Sequence, residues 1–269
     1  MNFPLRPHNG SLSSTVNGWL RDALCHGAEG FTLLEMAIVL VIVGLLSGGG
    51  MTILSTQMEM RRVRETNALL EEAREALLGF AVAQGRLPRP ATSKLAGAEN
   101  TAACTDDTIC TGFIPWATLG ISKIDGFGKI IRYSVSPDFA GGANATPPGT
   151  QTFNLSTSVA TKTVQTRDGA GALTYLAGQA LCSSASQCMP AVVFSNGKNN
   201  WGTGERGNVI GDNSATNSDE DANNSASTNF ISRTPSNNSA SSGGEFDDQV
   251  LWLSPHILFN RMVASGRLP

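Results

Sequence analysis

The run GFTLLEMAIVLVIVGLLSGGG at Gly30–Gly50 constrains this chain more than any other stretch. From Met36 to Ser55 stand 20 uncharged, mostly apolar residues. As a helix rising about 1.5 Å per residue, such a stretch covers about 30 Å, one hydrocarbon thickness. A secretory signal peptide has a shorter apolar core with a small-x-small site behind it, whereas this run continues into a helical pattern. Glu35 stands at its head, and the run holds no basic residue to neutralise it. A carboxylate at membrane depth is costly and is a functional candidate by default. The alternative is an interfacial carboxylate that reaches out to water.

The pattern that follows is MEMRRVRETNALLEEAREALLGFAVAQG, Met58 to Gly85. Val63, Leu70 and Leu77 recur every seven residues, and Ala73, Ala76 and Phe80 fill the same face with Arg and Glu opposite, the stripe of an amphipathic helix. No proline occurs between Phe31 and Leu87. One helix is therefore predicted from Phe31 to Gln84, apolar all round over 31–57 and wet on one face over 58–85. Gly48, Gly49 and Gly50 are its weak point, and Gly85 with Pro88 ends it. Arg61, Arg62 and Arg64 suit lipid headgroups or acidic faces of neighbours such as Glu71, Glu72 and Glu75, or equally a plain solvated face.

Beyond Pro88 the pattern changes to strands and turns. IIRYSVS (Ile130–Ser136), TFNLSTSV (Thr152–Val159), AVVFS (Ala191–Ser195) and QVLWL (Gln249–Leu253) are β-rich runs between turn residues. Residues 211–244, dominated by Asn, Ser and Ala, bury little and are expected to form a long flexible loop. PHILFNRMVASG predicts a short closing helix. Residues 86–269 thus read as one globular α+β domain. Cys104, Cys110, Cys182 and Cys188 form two Cys-x5-Cys pairs, which suggests disulfides in an oxidising compartment. Three connectivities are open. Local pairing of Cys104 with Cys110 and Cys182 with Cys188 is favoured, each closing a seven-residue loop worth roughly 2–2.5 kcal/mol in the chain-entropy model. A zinc site is the alternative, against which stands its preference for closer ligand pairs.

The net charge of −3 provides no basic footprint for nucleic acid. GTGERG at Gly202–Gly207 fits a dinucleotide-loop pattern but opens onto polar loop rather than a βαβ unit, so it carries no weight. His8 and His26 precede the apolar run, and His256 has no nucleophile motif beside it. No catalytic set or catalytic cofactor is implied, and the chain is not expected to be an enzyme.

At Gly30-Phe31-Thr32-Leu33-Leu34-Glu35, followed by the apolar run, the sequence resembles the type IV pilin and type II secretion pseudopilin family. In that family a membrane-embedded prepilin peptidase cuts after the glycine and N-methylates the new terminus. The resemblance implies a leader over 1–30, cleavage between Gly30 and Phe31, and methylation of Phe31. It implies that Glu35 pairs with the new amine during assembly, since two charges in a low-dielectric core are tolerable paired and poor singly. The leader is long, Glu29 precedes the glycine, and Thr52 stands where family members often have proline.

DGFGKIIRYSV (Asp125–Val135) resembles the family's turn and strand, and VVFSNGKNNWGTGERG with FDDQVLWLS resembles its calcium-binding C-terminal loop. On that likeness Asp247 and Asp248, with Asp212, Asp219, Glu220 and Asp221 nearby in sequence, are candidate calcium ligands, with a solvated acidic loop as the alternative. The expected fold is α+β and pilin-like: a long N-terminal helix, its first half transmembrane, packed on an antiparallel sheet with disulfide-pinned loops. The expected function is that of a pseudopilin or minor pilin in a type II secretion pseudopilus or type IV pilus. The expected partners are the prepilin peptidase, other subunits, an inner-membrane assembly platform, and lipid before assembly. The expected location is single-pass in the inner membrane with the C-terminal domain in the periplasm, or extracellular within a filament. The alternative is a single-pass anchored periplasmic binding or adhesin protein.

Overall fold

The computed structural model describes residues 30–142 and 153–268, without the side chains of 46–54. The expected leader, apart from Gly30, lies outside the described residues. The chain divides into two units, one ending at Ser55 and one starting at Thr56. Helix α1, Leu33–Gln84, belongs to both and continues through Gly48, Gly49 and Gly50.

In the first unit Thr32 caps α1. Its Oγ1 accepts from the Glu35 amide at 3.2 Å, and its carbonyl accepts from Met36 at 3.1 Å. This satisfies amides that the first helical turn leaves orphaned. Every described side chain from Phe31 to Leu45 is exposed. Among the described residues no helix is long and apolar enough to cross a membrane. Of the predicted span over 36–55, the side chains of 46–54 lie outside the described residues.

The second unit is α+β. The part of α1 from Thr56 onward is rich in Ala, Leu, Glu and Arg, strong helix formers. Thr66, Leu69, Leu70, Ala73, Leu77, Leu78 and Ala81 form its buried stripe. Val63, Ala76 and Phe80, expected on that face, lie at its half-buried margin. Gly85 ends the helix at φ 77°, its amide bonded to the Ala81 carbonyl at 2.7 Å. Only glycine adopts this left-handed geometry cheaply.

Four antiparallel strands form the main sheet in the order β1 (Thr111–Phe113), β2 (Arg132–Val135), β5 (Ala191–Ser195), β7 (Gln249–Leu253). A second sheet has the order β4 (Leu173–Ala177), β3 (Thr163–Arg167), β6 (Asn229–Ile231), with β6 parallel to β3. Helix α2 is Trp116–Leu119, α3 is Ser218–Ser225 and α4 is Pro255–Ala264. Strand β5 is buried throughout because both its faces are covered. Ala191 and Val193 pack in the core with Leu70 and Leu77 of α1 and with Leu258 and Met262 of α4. Val192 and Phe194 pack with Val164 of β3 and Phe230 of β6.

Two expectations are corrected. Residues 153–159 form no strand, because Asn154 Oδ1 accepts from the Ser156 amide at 2.8 Å and its carbonyl accepts from Ser158 at 3.0 Å. A local turn satisfies the backbone there in place of a ladder. Residues 211–244 are not a structureless loop: they contain α3 and β6, and Asn217, Asp219, Glu220, Asn223 and Phe230 are buried. Disulfides join Cys104 to Cys110 and Cys182 to Cys188, with Cα atoms 5.0 and 5.8 Å apart.

Candidate functional site

Two places carry the residues that the sequence singles out. The first is the start of α1. Gly30 is exposed, and among the described residues no atom lies within 4 Å of where a side chain would begin. Phe31 is 78% exposed. Glu35 lies in the first turn of α1, where the helix dipole favours a carboxylate. It is surrounded in sequence by exposed apolar side chains, among them Leu33, Leu34 and Leu40. A helix apolar on all sides needs lipid or other helices around it. Glu35 follows Phe31 by four positions, so both lie at the start of α1.

The second is an acidic centre beside the loop that follows β5. One oxygen each from Glu220, Asp247 and Asp248 lies within 4.8 Å of the others. Asp247 and Asp248 come from the segment just before β7, and Glu220 from α3. Asp219 and Asp221 are not part of this group, since neighbours on a helix point about 100° apart. Asp219 accepts from Arg167 at 2.6 and 2.8 Å and from Arg233 at 2.7 Å. Asp221 accepts from the indole nitrogen of Trp201 at 2.7 Å.

Amides serve each carboxylate of the group. Glu220 accepts from the side chains of Asn200 and Asn217 at 3.0 Å and from the Asp247 amide at 2.8 Å. Asp247 accepts from the Asn199 amide at 3.0 Å and its side chain at 2.6 Å, while its other oxygen has no hydrogen-bond partner among the described residues. Asp248 accepts from Asn223 at 2.8 Å, and burial pushes its pKa well up.

Sequence reasoning missed Lys129, which faces this centre. Only 3% of it is exposed. Its Nζ donates to the carbonyls of Asn196 at 2.9 Å, Asn200 at 2.7 Å, and Asn199. Burial lowers its pKa, opposed by the charges of Asp247, Asp125, Asp248 and Glu220. The turn before it is held by Asp125, which accepts from the amides of Phe127 and Lys129 at 2.9 Å and from Ser195 Oγ. The resemblance implies calcium at this loop. Loop carbonyls and carboxylates are the oxygen set that calcium takes. Here the three loop carbonyls are spent on an ammonium, which leaves the carboxylates of Glu220, Asp247 and Asp248 as the oxygens of that set not engaged by Lys129.

A family model described as the prokaryotic N-terminal methylation motif matches residues 25–51. No curated protein and no solved structure matches the chain. The matched segment contains Gly30, Phe31, Glu35 and the described apolar start of α1, so the chain carries a prepilin-type signature. That signature is of the pilin or pseudopilin type and points to a membrane-associated or filament protein.

Proposed function

We propose that this chain is a filament subunit, a pseudopilin or minor pilin, made as a precursor and cleaved between Gly30 and Phe31. Phe31 is then methylated, and the mature subunit joins a type II secretion pseudopilus or a type IV pilus. The observation that carries this reading is the methylation motif over residues 25–51, set where an exposed glycine leads into a helix with a carboxylate in its first turn.

Before assembly, the apolar start of α1 resides in the inner membrane, with the domain from residue 86 onward in the periplasm. Cleavage creates an amine at Phe31. In the filament the apolar helices surround one another in place of lipid, and Glu35 pairs with an amine of its own or a neighbouring subunit. A buried charge alone is strongly unfavourable, and a pair is tolerable. The subunit works by assembling. Its partners are the peptidase, other subunits and an inner-membrane platform.

Mass spectrometry of the N-terminus from cells with and without the prepilin peptidase tests this. The expected mature chain begins at Phe31 and carries one methyl group. A chain that keeps the segment before Phe31 in both strains would instead identify a membrane-anchored binding protein.

A further inference from the structure

We infer that Lys129 is the resident cation of the 196–200 loop, and that this loop reaches its fold without a metal. A lysine ammonium has three N–H donors and no acceptor. All three are matched by the carbonyls of Asn196, Asn199 and Asn200. The carboxylates of Asp125, Glu220, Asp247 and Asp248 lie close enough to favour the positive charge. Converging carbonyls and carboxylates with little water around them are costly to bury without a cation. The chain supplies that cation itself.

The path of the lysine stem is built into the fold. Gly202, at φ 114°, passes so close that a Cβ there would stand 2.9 Å from Lys129 Cδ. The Ile130 amide donates to the Thr203 carbonyl at 2.8 Å, and Lys129 bridges Gly204 across an antiparallel pair. The Asp125 carboxylate fixes the turn from the other side through the Lys129 amide. The ammonium is therefore delivered from a backbone anchored at both ends. A metal on the same three carbonyls would have to displace it.

A tethered ammonium cannot be chelated or diluted away. Folding of the loop, and whatever the loop supports at the filament surface, becomes independent of the calcium in the medium. This departs from the calcium dependence that the resemblance implies, and it holds whether or not the chain is cleaved at Gly30.

Thermal melts of the full chain in detergent, read by near-ultraviolet circular dichroism, test the inference. The wild type is expected to melt at the same temperature in millimolar calcium and in excess chelator. A higher melting temperature in calcium than in chelator would overturn the inference, and this arm needs no variant. Lys129→Ala is expected to melt about 6–12 °C lower, the loss of several charge-assisted hydrogen bonds in a domain of this size. Calcium is expected to recover part of that loss by entering the vacated oxygens. A Lys129→Ala protein that melts with the wild type would also overturn the inference. Should that variant not fold, Lys129→Met keeps the stem and removes only the charge, and the same two readings apply.

Discussion

Gly126 rests directly on the backbone of Arg62 in α1: a Cβ at Gly126 would stand 2.4 Å from the Arg62 carbonyl oxygen. The Gly126 amide donates to Thr66 Oγ1 at 3.1 Å, and that hydroxyl donates to the Arg62 carbonyl at 2.9 Å. The turn that leads to Lys129 is thus pinned to the helix by a glycine that no other residue can replace without movement. Gly126→Ala is expected to destabilise the domain by about 1–3 kcal/mol, the usual cost of overpacking. Urea denaturation should show a lower midpoint with an unchanged slope. An unchanged midpoint would mean that the turn does not dock on α1.

The buried stripe of α1 ranks its own side chains. Leu77 is fully buried in the main core, and Leu77→Ala should cost about 2–5 kcal/mol. Phe80 is larger but half-buried, with the Arg86 guanidinium 5.4 Å above its ring. Phe80→Ala should cost less than Leu77→Ala. The reverse order in denaturant melts would place the stripe on the wrong face.

Lys162 makes a pH-dependent contribution of known sign. It is completely buried, and its Nζ donates to Asp107 and to the Ser227 carbonyl, each at 2.6 Å. Burial pushes its pKa down from the ordinary lysine value to about 8, with Asp107 acting against the fall. The folded protein therefore releases this proton before the unfolded chain does. Between pH about 8 and the ordinary value the folded state binds fewer protons, so stability rises with pH there. Relative to Lys162→Met, the wild type should gain on the order of 3 kcal/mol from pH 7 to 10.5. Parallel pH profiles for the two proteins would refute this.

Glu35→Leu addresses assembly. Leucine suits the apolar start of α1, so the variant should insert and be processed like the wild type. On the proposed function, removing the carboxylate leaves the Phe31 amine unpaired in the helix bundle, and sheared-filament yield should fall at least tenfold, the effect of losing about 1.4 kcal/mol per contact. Wild-type filament yield from a processed Glu35→Leu chain would remove the pairing role.

The elements that sequence reading located share one property: an apolar period that survives in isolation. Helix α1 was legible from its stripe and its terminal glycine, and β2, β5, β7 and α4 from short apolar runs between turn residues. Strands β3 and β4 were missed, although Asp168-Gly169 between β-rich runs is a hairpin signal. The acidic centre was half legible. Asp247 and Asp248 were named from their place before β7. Glu220 could not be told from its helical neighbours Asp219 and Asp221, because a polar helix gives no stripe from which to judge its faces.

By itself the sequence determined the long helix, its apolar start, the carboxylate in its first turn and the prepilin-type signature around Gly30 and Phe31, since each rests on contiguous residues. Only the tertiary structure decided what residues 211–244 do and what holds the 196–200 loop. Helix α3 buries Asp219, Glu220 and Asn223 against partners such as Arg167, Arg233, Asn200 and Asp248. A polar side chain is buried only where its hydrogen bonds are met, and here the groups that meet them come from elsewhere in the chain. Lys129 and its three carbonyls lie 67 to 71 residues apart along the chain. The fold alone brings that ammonium to those oxygens, because pairing across such a distance leaves no local periodicity to read.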